Sequence, residues 1–582
     1  MRRGIATVSL SGVLDDKLTA IAAAGFDGLE IFDNDLIASP LTPREVARRC
    51  AELGLTIDLF QPVRDVEGVP PEQFDPVLHR FRTKLAVMAD LGATTVLCCS
   101  HVGADAVDDP DLSAAQLSLL GDLAADQGVT IAYEALAWGR HVNRVGQAWD
   151  VVRRADHPAV TLAVDTFHLL SRGDDGAALA GIPGDRIGFL QVADAPLLDM
   201  DVLEWSRHFR CFPGEGTLDV AGVVAATLAT GYAGPVSLEV FSDVVRVADP
   251  AVTARDAMRS LVFLEDQLGR AGAPPPPAGI DPAFLELPGS PAVPPLLGSL
   301  GFAPAGRHRT KPVTWWRNGD AHVVVNDGTA ADPAIGILTS SVSGVAERAK
   351  ALLWPAVDRT RGSGEALLPG ITSPSGLHVL VSDRAGEDDH WQGDFVEPAE
   401  PTGDLLGIDH LVVAVPSLRL NEEVSFLRTL LAMEPGAVEE FMEPQGRLRS
   451  RAFRSSRGSL RVILNVEESV QSPASGITQV AFATPDVRAS VGALRAAGVP
   501  LMPVPDNYYT DLDARFGLPP EVLDDLRAHG LLYDRAGDGE LLHAFTLPLG
   551  TGFHVELLER RGGYDGYGSA GTHVRLAMQR AG

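Results

Sequence analysis

The first part of the chain, to about residue 265, repeats one pattern: a short apolar run rich in β-branched residues, then an amphipathic stretch and a turn. The runs lie at residues 4–10, 28–32, 55–59, 94–99, 129–134, 160–165, 187–192 and 236–240. Strands that alternate with helices pair in parallel, because each helix returns the chain to the start of the next strand. Eight such units predict a closed (β/α)8 TIM barrel. The main alternative, a doubly wound open sheet, uses fewer strands and usually a glycine-rich phosphate loop, which does not follow the first run here.

A proline-rich segment at residues 269–279 marks the end of this pattern, so we assign residues 1–268 to the barrel. Its four consecutive prolines form a stiff, extended spacer. Beyond it, short strands mix with isolated helices, and we expect two related α+β modules at 280–398 and 403–582. An acidic, proline-rich stretch at 395–404 separates them. We predict an irregular tail after Gly562, because that segment is rich in glycine and tyrosine.

Polar residues lie at or near the ends of four successive predicted barrel strands. Glu134 ends the fifth run and Asp165 the sixth, while Gln191 and Glu239 lie in the seventh and eighth. The carboxyl ends of barrel strands meet at one rim, so these side chains should converge there. Three carboxylates held together repel one another and are costly to bury, and a divalent cation removes both costs. An all-oxygen ligand set favours Mg²⁺, with Mn²⁺ or Co²⁺ as alternatives.

Loops that leave the same rim carry further candidates. His168 follows Asp165 by three residues. It is the candidate catalytic acid or base, because imidazole titrates near neutrality. An arginine fork can bind a substrate carboxylate through two parallel hydrogen bonds, which suits Arg64 and Arg210. The substrate-binding candidates are Arg64, His101, Ser206 and Arg210.

Several motifs of the first half are similar to those of the sugar-phosphate isomerase/epimerase-like, or xylose isomerase-like, barrel superfamily. They are GFDGLEIF (25–32), YE (133–134), VDTFH (164–168), LQVAD (190–194), PGEG (213–216) and SLEVF (237–241). Many of these barrels place histidine on strand seven. Gln191, together with DTFH and a fused C-terminal half, resembles the bacterial 3-dehydroshikimate dehydratases. That resemblance implies a hydro-lyase that makes protocatechuate and water through a metal-stabilised dienolate, with His168 moving protons and Arg64 and Arg210 holding the carboxylate.

Residues 403–565 resemble the vicinal oxygen chelate fold of 4-hydroxyphenylpyruvate dioxygenase. The motifs are GIDHLVVAV (407–415), GITQVAFAT (476–484), NYYTDLDARF (507–516) and GFHVELLERRGGYDGYG (552–568). In that family two histidines and a glutamate hold ferrous iron. His410 and Glu556 match this set, but Gln479 stands where the family has histidine. The three residues are therefore a weakened second metal site, and we do not expect this half to oxidise hydroxyphenylpyruvate. Residues 280–398 resemble the metal-free module of the same fold.

The composition of the chain limits the kinds of molecule that the protein is expected to bind. A net charge of -29 without a lysine and arginine cluster argues against nucleic acid. No run approaches the ~18 apolar residues of a membrane span. Four cysteines with no C-x-x-C pair fit a reducing cytoplasm. We therefore expect a cytoplasmic enzyme with a small-molecule substrate, and a C-terminal half that serves assembly, for example of a homo-oligomer. Two alternatives stay open: a sugar or polyol isomerase/epimerase on the same barrel, and dioxygenase activity in the C-terminal half.

Overall fold

The computed structural model of the protein describes residues 1–328, 333–384, 390–396, 400, 402–443, 446–469, 475–549 and 553–581. The chain divides into two compact units, Met1–Gly272 and Ala273–Gly582. In the stretch predicted to separate the two C-terminal modules, residues 397–399 and 401 lie outside the described residues. Gly552, the first residue of the motif at 552–568, lies outside them too.

The first unit is a closed barrel of eight parallel strands, which confirms the predicted fold class. The strands are β1 (Arg3–Ala6), β2 (Gly28–Phe32), β3 (Thr56–Val63), β4 (Thr95–Cys99), β5 (Thr130–Glu134), β6 (Val160–Asp165), β7 (Ile187–Val192) and β8 (Val236–Leu238). Each strand pairs with the next one along the chain, and β8 pairs with β1 to close the barrel.

Ten α-helices are present in this unit, all of whose residues are described. They are α1 (Leu14–Ala24), α2 (Asp33–Ile37), α3 (Pro43–Glu52), α4 (Phe74–Leu91), α5 (Pro110–Ala125), α6 (Val145–Ala155), α7 (Thr166–Ser171), α8 (Val202–His208), α9 (Val220–Ala229) and α10 (Pro250–Gln267). Local sequence sets where they begin. At α3 the Thr42 hydroxyl accepts a bond from the Glu45 amide while the Glu45 carboxylate accepts from the Thr42 amide.

Buried strands explain why the barrel pattern is so regular. All six residues of β6 are buried, and the core inside the strands includes Leu59, Leu97, Ala132 and Phe189. A strand covered on both faces is apolar throughout, so a polar residue at its end stands out. The strand ends therefore identify the rim that carries polar chemistry.

The second unit contains two sheets of mixed strand direction, which confirms the predicted α+β class of this half. The first sheet has the order β14-β15-β16-β13-β9-β12-β11-β10-β17. Its strands are β9 (Asp281–Pro288), β10 (Ala303–His308), β11 (Val313–Asn318), β12 (Ala321–Asn326), β13 (Ala334–Thr339), β14 (Ala356–Val357), β15 (Gly370–Thr372), β16 (His378–Asp383) and β17 (Phe395–Val396). Helices α11 (Val293–Ser299) and α12 (Val342–Ala351) belong to the same segment.

The other sheet has the order β19-β20-β21-β18-β22-β25-β24-β23. Its strands are β18 (Gly407–Ala414), β19 (Met433–Glu443), β20 (Gly446–Ser455), β21 (Arg461–Ser469), β22 (Gly476–Ala483), β23 (Leu532–Ala536), β24 (Gly539–Phe545) and β25 (His554–Arg561). The helices are α13 (Leu420–Ser425), continued by a π-helical turn at Phe426–Leu430, then α14 (Val487–Ala496), α15 (Asp506–Phe516), α16 (Pro520–His529) and α17 (Thr572–Ala581).

The prediction of an irregular tail is wrong, because the tail ends in the helix α17. Residues 575–581 are arginine, leucine, alanine, methionine and glutamine, which all favour helix. Leu576 is buried and anchors this helix. Within the described part of the chain, no helix has the length and apolarity needed to cross a membrane.

Candidate active site and metal centre

The four polar strand-end residues lie at one rim of the barrel. Glu134 and Asp165 are the last residues of β5 and β6, and Gln191 lies opposite Asp165 in the register of β6 and β7. Glu239 directly follows β8. All four side chains are buried. The predicted ligands therefore lie on four neighbouring strands, at the end of the barrel where the strands finish.

His168 lies closer to the carboxylates than its predicted role required. One ligand atom from each of Glu134, Asp165 and His168 can be chosen so that all three lie within 4.8 Å of one another. The His168 Nε2 atom is 3.7 Å from Glu134 Oε1 and 4.0 Å from Asp165 Oδ2. The Ala137 amide donates to His168 Nδ1 at 3.2 Å, which fixes the ring and turns Nε2 toward the carboxylates. Because Nδ1 accepts this bond, the neutral ring carries its proton on Nε2, and His168 is placed to donate a proton beside the carboxylates.

Arg210 is buried among these groups. Its Nη1 donates to Asp165 Oδ2 at 2.9 Å and to Glu239 Oε2 at 3.3 Å, and its Nη2 lies 3.1 Å from His168 Nε2. Its Nε and Nη2 both donate to the Ser206 hydroxyl. Arg210 and Ser206, predicted to bind substrate, are thus joined directly to the carboxylate cluster, and Ser206 holds Arg210 in place.

Charge is unbalanced in this cluster. Burial, followed by the charges of Glu239 and Asp165, raises the pKa of Glu134 well above its usual range. Burial also raises the pKa of Glu239 to about 7. For Asp165 burial acts in the same direction, but the charge of Arg210 and the hydrogen bonds from Arg210 and the His168 amide outweigh it and lower the pKa. Burial lowers the pKa of His168 to about 3, so the imidazole is neutral. One guanidinium does not neutralise this many buried carboxylates.

A divalent cation fits this site. Within the described residues, the Glu134 Oε1 and Gln191 Oε1 atoms are buried without a hydrogen-bond partner. Buried oxygens of this kind are costly unless something binds them. An ion held by these oxygens, with Asp165 and Glu239, would give the unpaired oxygens a partner and offset the excess of negative charge.

Sequence reasoning missed Glu30, in the middle of the apolar strand β2. Its side chain is fully buried, and its Oε2 accepts bonds from Gln191 Nε2 and Gln61 Nε2, both at 2.7 Å. The Ser237 hydroxyl donates to its Oε1. The Glu30–Gln191 bond occupies the amide nitrogen of Gln191 and leaves its oxygen for the cluster. A carboxylate inside an otherwise apolar strand was the signal in the sequence.

Arg64 lies at the mouth of the site. It is exposed and lines an open pocket of about 640 Å³ together with Arg80, Lys84 and Arg207. Its charge helps to lower the pKa values of His168 and Glu239, which places it within electrostatic range of the cluster. Within the described residues its guanidinium has no hydrogen-bond or ion-pair partner. Arg64 is therefore available to an incoming anion.

His101 lies in a different pocket, of about 300 Å³, which Glu67 and His141 also line. Its Nδ1 is 3.1 Å from the Glu67 carbonyl oxygen, and its Nε2 is 3.7 Å from carboxylate oxygens of Asp65 and Asp105. These contacts associate His101 with the loop after β3. Its predicted role in substrate binding stays a prediction.

The structure also brings together His410, Gln479 and Glu556, on β18, β22 and β25. Gln479 Nε2 donates to Glu556 Oε2, and His410 Nε2 lies 3.2 Å from the same oxygen. Two histidines that the sequence did not indicate complete the network: His543 Nδ1 is 2.7 Å from Glu556 Oε1, and His554 Nε2 is 2.9 Å from Gln479 Oε1.

These contacts do not fit an iron site. Both Glu556 oxygens already have partners within the protein, and Gln479 directs an amide NH₂, which has no lone pair for a metal, toward Glu556. Although burial opposes it, the charge and hydrogen bond of His410 lower the pKa of Glu556 to about 2. The cluster is an ion pair joined by an amide and needs no cation for charge balance, unlike the barrel cluster.

Comparison with known proteins agrees with this architecture. Residues 18–264 match the family model described as a xylose isomerase-like TIM barrel. The chain is 42% identical to a 3-dehydroshikimate dehydratase of Pseudomonas putida, over 99% of its own length and 98% of that protein. It is 43% identical to the 3-dehydroshikimate dehydratase of Pseudomonas aeruginosa, over the same shares of both chains. A solved structure, a xylose isomerase-like TIM barrel/4-hydroxyphenylpyruvate dioxygenase fusion protein, covers 100% of both chains with a TM-score of 0.90 and 40% identity.

Proposed function

The chain belongs to the family of bacterial 3-dehydroshikimate dehydratases, and from this membership we propose that it converts 3-dehydroshikimate to protocatechuate and water at the barrel rim. One observation carries the assignment to this site. The buried cluster of Glu134, Asp165 and His168 lies where the strands end, with the unpartnered oxygens of Glu134 and Gln191 beside it.

We propose that Glu134, Asp165, Gln191 and Glu239 hold a divalent cation. Their donors are all oxygens, which favours Mg²⁺, with Mn²⁺ or Co²⁺ as alternatives. When bound, such an ion supplies positive charge for the oxygen on which negative charge develops. Gln191 contributes its oxygen because Glu30 accepts a hydrogen bond from its nitrogen.

His168 is the proposed residue for proton transfer. Dehydration requires that a proton leave a ring carbon activated through the conjugated double bond, that a carbon–hydroxyl bond break, and that the two leave as one water molecule. The His168 ring is neutral and its Nδ1 accepts a hydrogen bond from the Ala137 amide, so its proton lies on Nε2. In this proposal Nε2 donates that proton to the departing hydroxyl, and Glu134 Oε1, 3.7 Å from Nε2, takes the proton from the ring carbon and passes it on to Nε2. The Trp138 ring packs edge-on against the His168 ring at a centroid distance of 5.1 Å, which holds the imidazole plane.

Two arginines have separate tasks in this proposal. Arg64 binds the substrate carboxylate, because it is exposed at the mouth and has no other partner among the described residues. Arg210 lowers the pKa of Asp165, opposes the rise in the pKa of Glu239 and faces His168 Nε2. Its positive charge also disfavours protonation of the imidazole to the imidazolium.

The test is protocatechuate absorbance on mixing 3-dehydroshikimate with the full-length protein, with and without EDTA. We expect product with Mg²⁺, Mn²⁺ or Co²⁺, and none after EDTA or in Glu134→Ala. Glu72→Ala, a surface variant in the same barrel, is the matched control and should keep full activity. Absence of product with all three ions would rule out the dehydratase assignment, and keto sugars would then be screened for isomerase or epimerase activity.

A further inference from the structure

A pocket in the nine-stranded sheet of the second unit takes no part in the chemistry described above. Its volume is about 170 Å³. A cavity of about 150 Å³ in an apolar protein core holds one benzene molecule. The pocket therefore has the size of a single six-membered ring with one small substituent.

Aromatic side chains form the floor of this pocket. Phe284 and Trp391 are both buried, and their ring centroids lie 4.7 Å apart. Val313 and Val324 line the same floor. Flat apolar surfaces with aromatic edges pack best against another aromatic ring, through offset or edge-to-face contacts. The floor favours a planar ring over a flexible chain.

Charged residues form the rim, and most of them are already paired. The pairs are Lys311 with Glu365 at 2.7 Å, Arg359 with Glu286 at 3.3 Å, and Arg309 with Asp394 at 3.1 Å. Each acid at the rim therefore has a basic partner, and these three pairs add no net charge to the pocket. The sign of the charge that the pocket favours in a ligand therefore depends on any charged residue that is left unpaired at the rim.

Arg361 supplies that remaining charge. Its Nε donates to the Glu365 carbonyl oxygen at 2.8 Å. Within the part of the chain that the structure describes, its two terminal nitrogens have no partner. An exposed guanidinium with two free nitrogens at the edge of an apolar pocket suits a carboxylate, which accepts both bonds at once.

We propose that this pocket binds a single-ring aromatic carboxylate, with the ring against Phe284 and Trp391 and the carboxylate at Arg361. The proposal rests on the proposed function in one respect: protocatechuate, the product of the barrel reaction, belongs to this class of compound and is released by the same chain. The second unit then retains a small-molecule site although its His410 cluster does not fit iron.

Isothermal titration of the full-length protein with benzoate, and separately with protocatechuate, tests this site. We expect benzoate binding that weakens at least tenfold in Arg361→Gln, which removes the charge, and in Val357→Phe, which fills the pocket. Arg384→Gln removes an arginine of the same sheet segment that pairs with Asp281, and is the matched control that keeps binding. Cyclohexanecarboxylate and benzamide, which lack the aromatic ring and the charge respectively, should each bind at least tenfold more weakly than benzoate.

Two further measurements keep the barrel site separate. In the metal-loaded protein we expect two binding events for protocatechuate, one lost in Arg361→Gln and the other in Arg64→Gln. Turnover of 3-dehydroshikimate should stay within twofold of wild type in Arg361→Gln and Val357→Phe. Unchanged benzoate binding in both variants, with wild-type melting temperatures, would overturn the proposal, and so would equal affinity for cyclohexanecarboxylate. A protein that binds benzoate as expected but makes no protocatechuate contradicts only the dehydratase assignment.

Discussion

Glu30 Oε2 accepts a hydrogen bond from Gln191 Nε2 at 2.7 Å, and this bond decides which end of the Gln191 amide faces the carboxylate cluster. A glutamine side chain can turn its oxygen or its nitrogen toward a metal, and only the oxygen binds. Glu30 also accepts from Gln61, so a single buried carboxylate orients two amides beneath the site.

Replacing Glu30 should therefore weaken metal binding, although Glu30 is not itself one of the proposed ligands. We expect Glu30→Ala to reduce the affinity for Mn²⁺ by roughly 10–100-fold, the usual effect of losing a residue that orients a ligand. Glu30→Gln keeps an acceptor for Gln191 and should recover part of the loss. Titration calorimetry with Mn²⁺ measures both, and Glu45→Gln, on the surface helix α3, is the control. Unchanged affinity in a Glu30→Ala protein of lowered melting temperature would show a purely structural role.

Arg64 should control substrate binding rather than chemistry. A charge-assisted hydrogen bond contributes about 1.5–3 kcal/mol, so Arg64→Gln should raise KM by roughly ten- to a hundredfold. The value of kcat should change little, because the groups that move the proton stay in place. Arg207→Gln, at the same mouth pocket, is the comparison and should change KM less than threefold. A fall in kcat with constant KM in Arg64→Gln contradicts this role.

Glu423 should make stability depend on pH. Its Oε2 accepts bonds from the Ser373 hydroxyl and the Ser375 amide, yet burial raises its pKa to about 7. The folded state therefore holds this proton more tightly than the unfolded state, whose glutamate pKa is about 4.3. Stability is greatest below that value and falls as pH rises to about 7, by at most roughly 3–4 kcal/mol.

Glu423→Gln removes this dependence. We expect the variant to melt at a higher temperature than wild type at pH 8 and at a similar temperature at pH 5. Melting temperatures between pH 4.5 and 8 measure the difference, with the exposed Glu521→Gln as control. Parallel curves for the variant and wild type would exclude Glu423 as the source.

Gln479 should prevent iron from binding at the His410 cluster of the second unit. We expect wild-type protein, mixed anaerobically with Fe²⁺ and desalted, to keep no iron at the His410 cluster. Gln479→His places an imidazole beside His410 and Glu556 and should add about one iron per chain in an Asp165→Ala background, where the barrel site is disabled. One equivalent of iron in Asp165→Ala alone is the contrary result.

Edge strand β19 should mediate the predicted self-association of the C-terminal half. It lies at the edge of its sheet and exposes 57% of Val438 and 78% of Met442. Exposed apolar residues on an unpaired edge promote pairing with a second strand. We expect light scattering to show an oligomer that Met442→Asp shifts toward the monomer, while Leu418→Asp, at an exposed leucine outside β19, leaves it unchanged.

The barrel could be predicted because most residues of its strands are apolar and buried, as in β6, where all six residues are buried. Strands of the second unit were harder to recognise. β20 reads GRLRSRAFRS, and only Leu448 and Phe453 of its ten residues are buried. A strand with four partly exposed arginines and only two buried residues carries little hydrophobic periodicity, so the sequence pattern does not indicate a strand there.

The residues of the candidate site also differ in how far the sequence indicates their roles. Glu134 and Asp165 could be found because polar residues that end apolar strands are conspicuous. The partners of Arg210 could not, because a loop arginine is equally suited to bind a substrate or a carboxylate of its own protein, and only the packing decides. The rings of Phe167 and Phe241 lie 4.5 Å and 5.4 Å from its guanidinium and hold it inside.

The four proposed ligands come from four successive strands, and the last of these strands pairs with the first strand of the barrel, where Leu238 faces Ile5. A cation held by all four ties β5, β6, β7 and the end of β8 together at one rim. Separating these strands would have to release the ion, so each tenfold excess of ion over its dissociation constant adds about 1.4 kcal/mol to the cost of separating them. Resistance to proteolysis would then follow metal supply, and a cell starved of the ion would lose the protein itself as well as its activity.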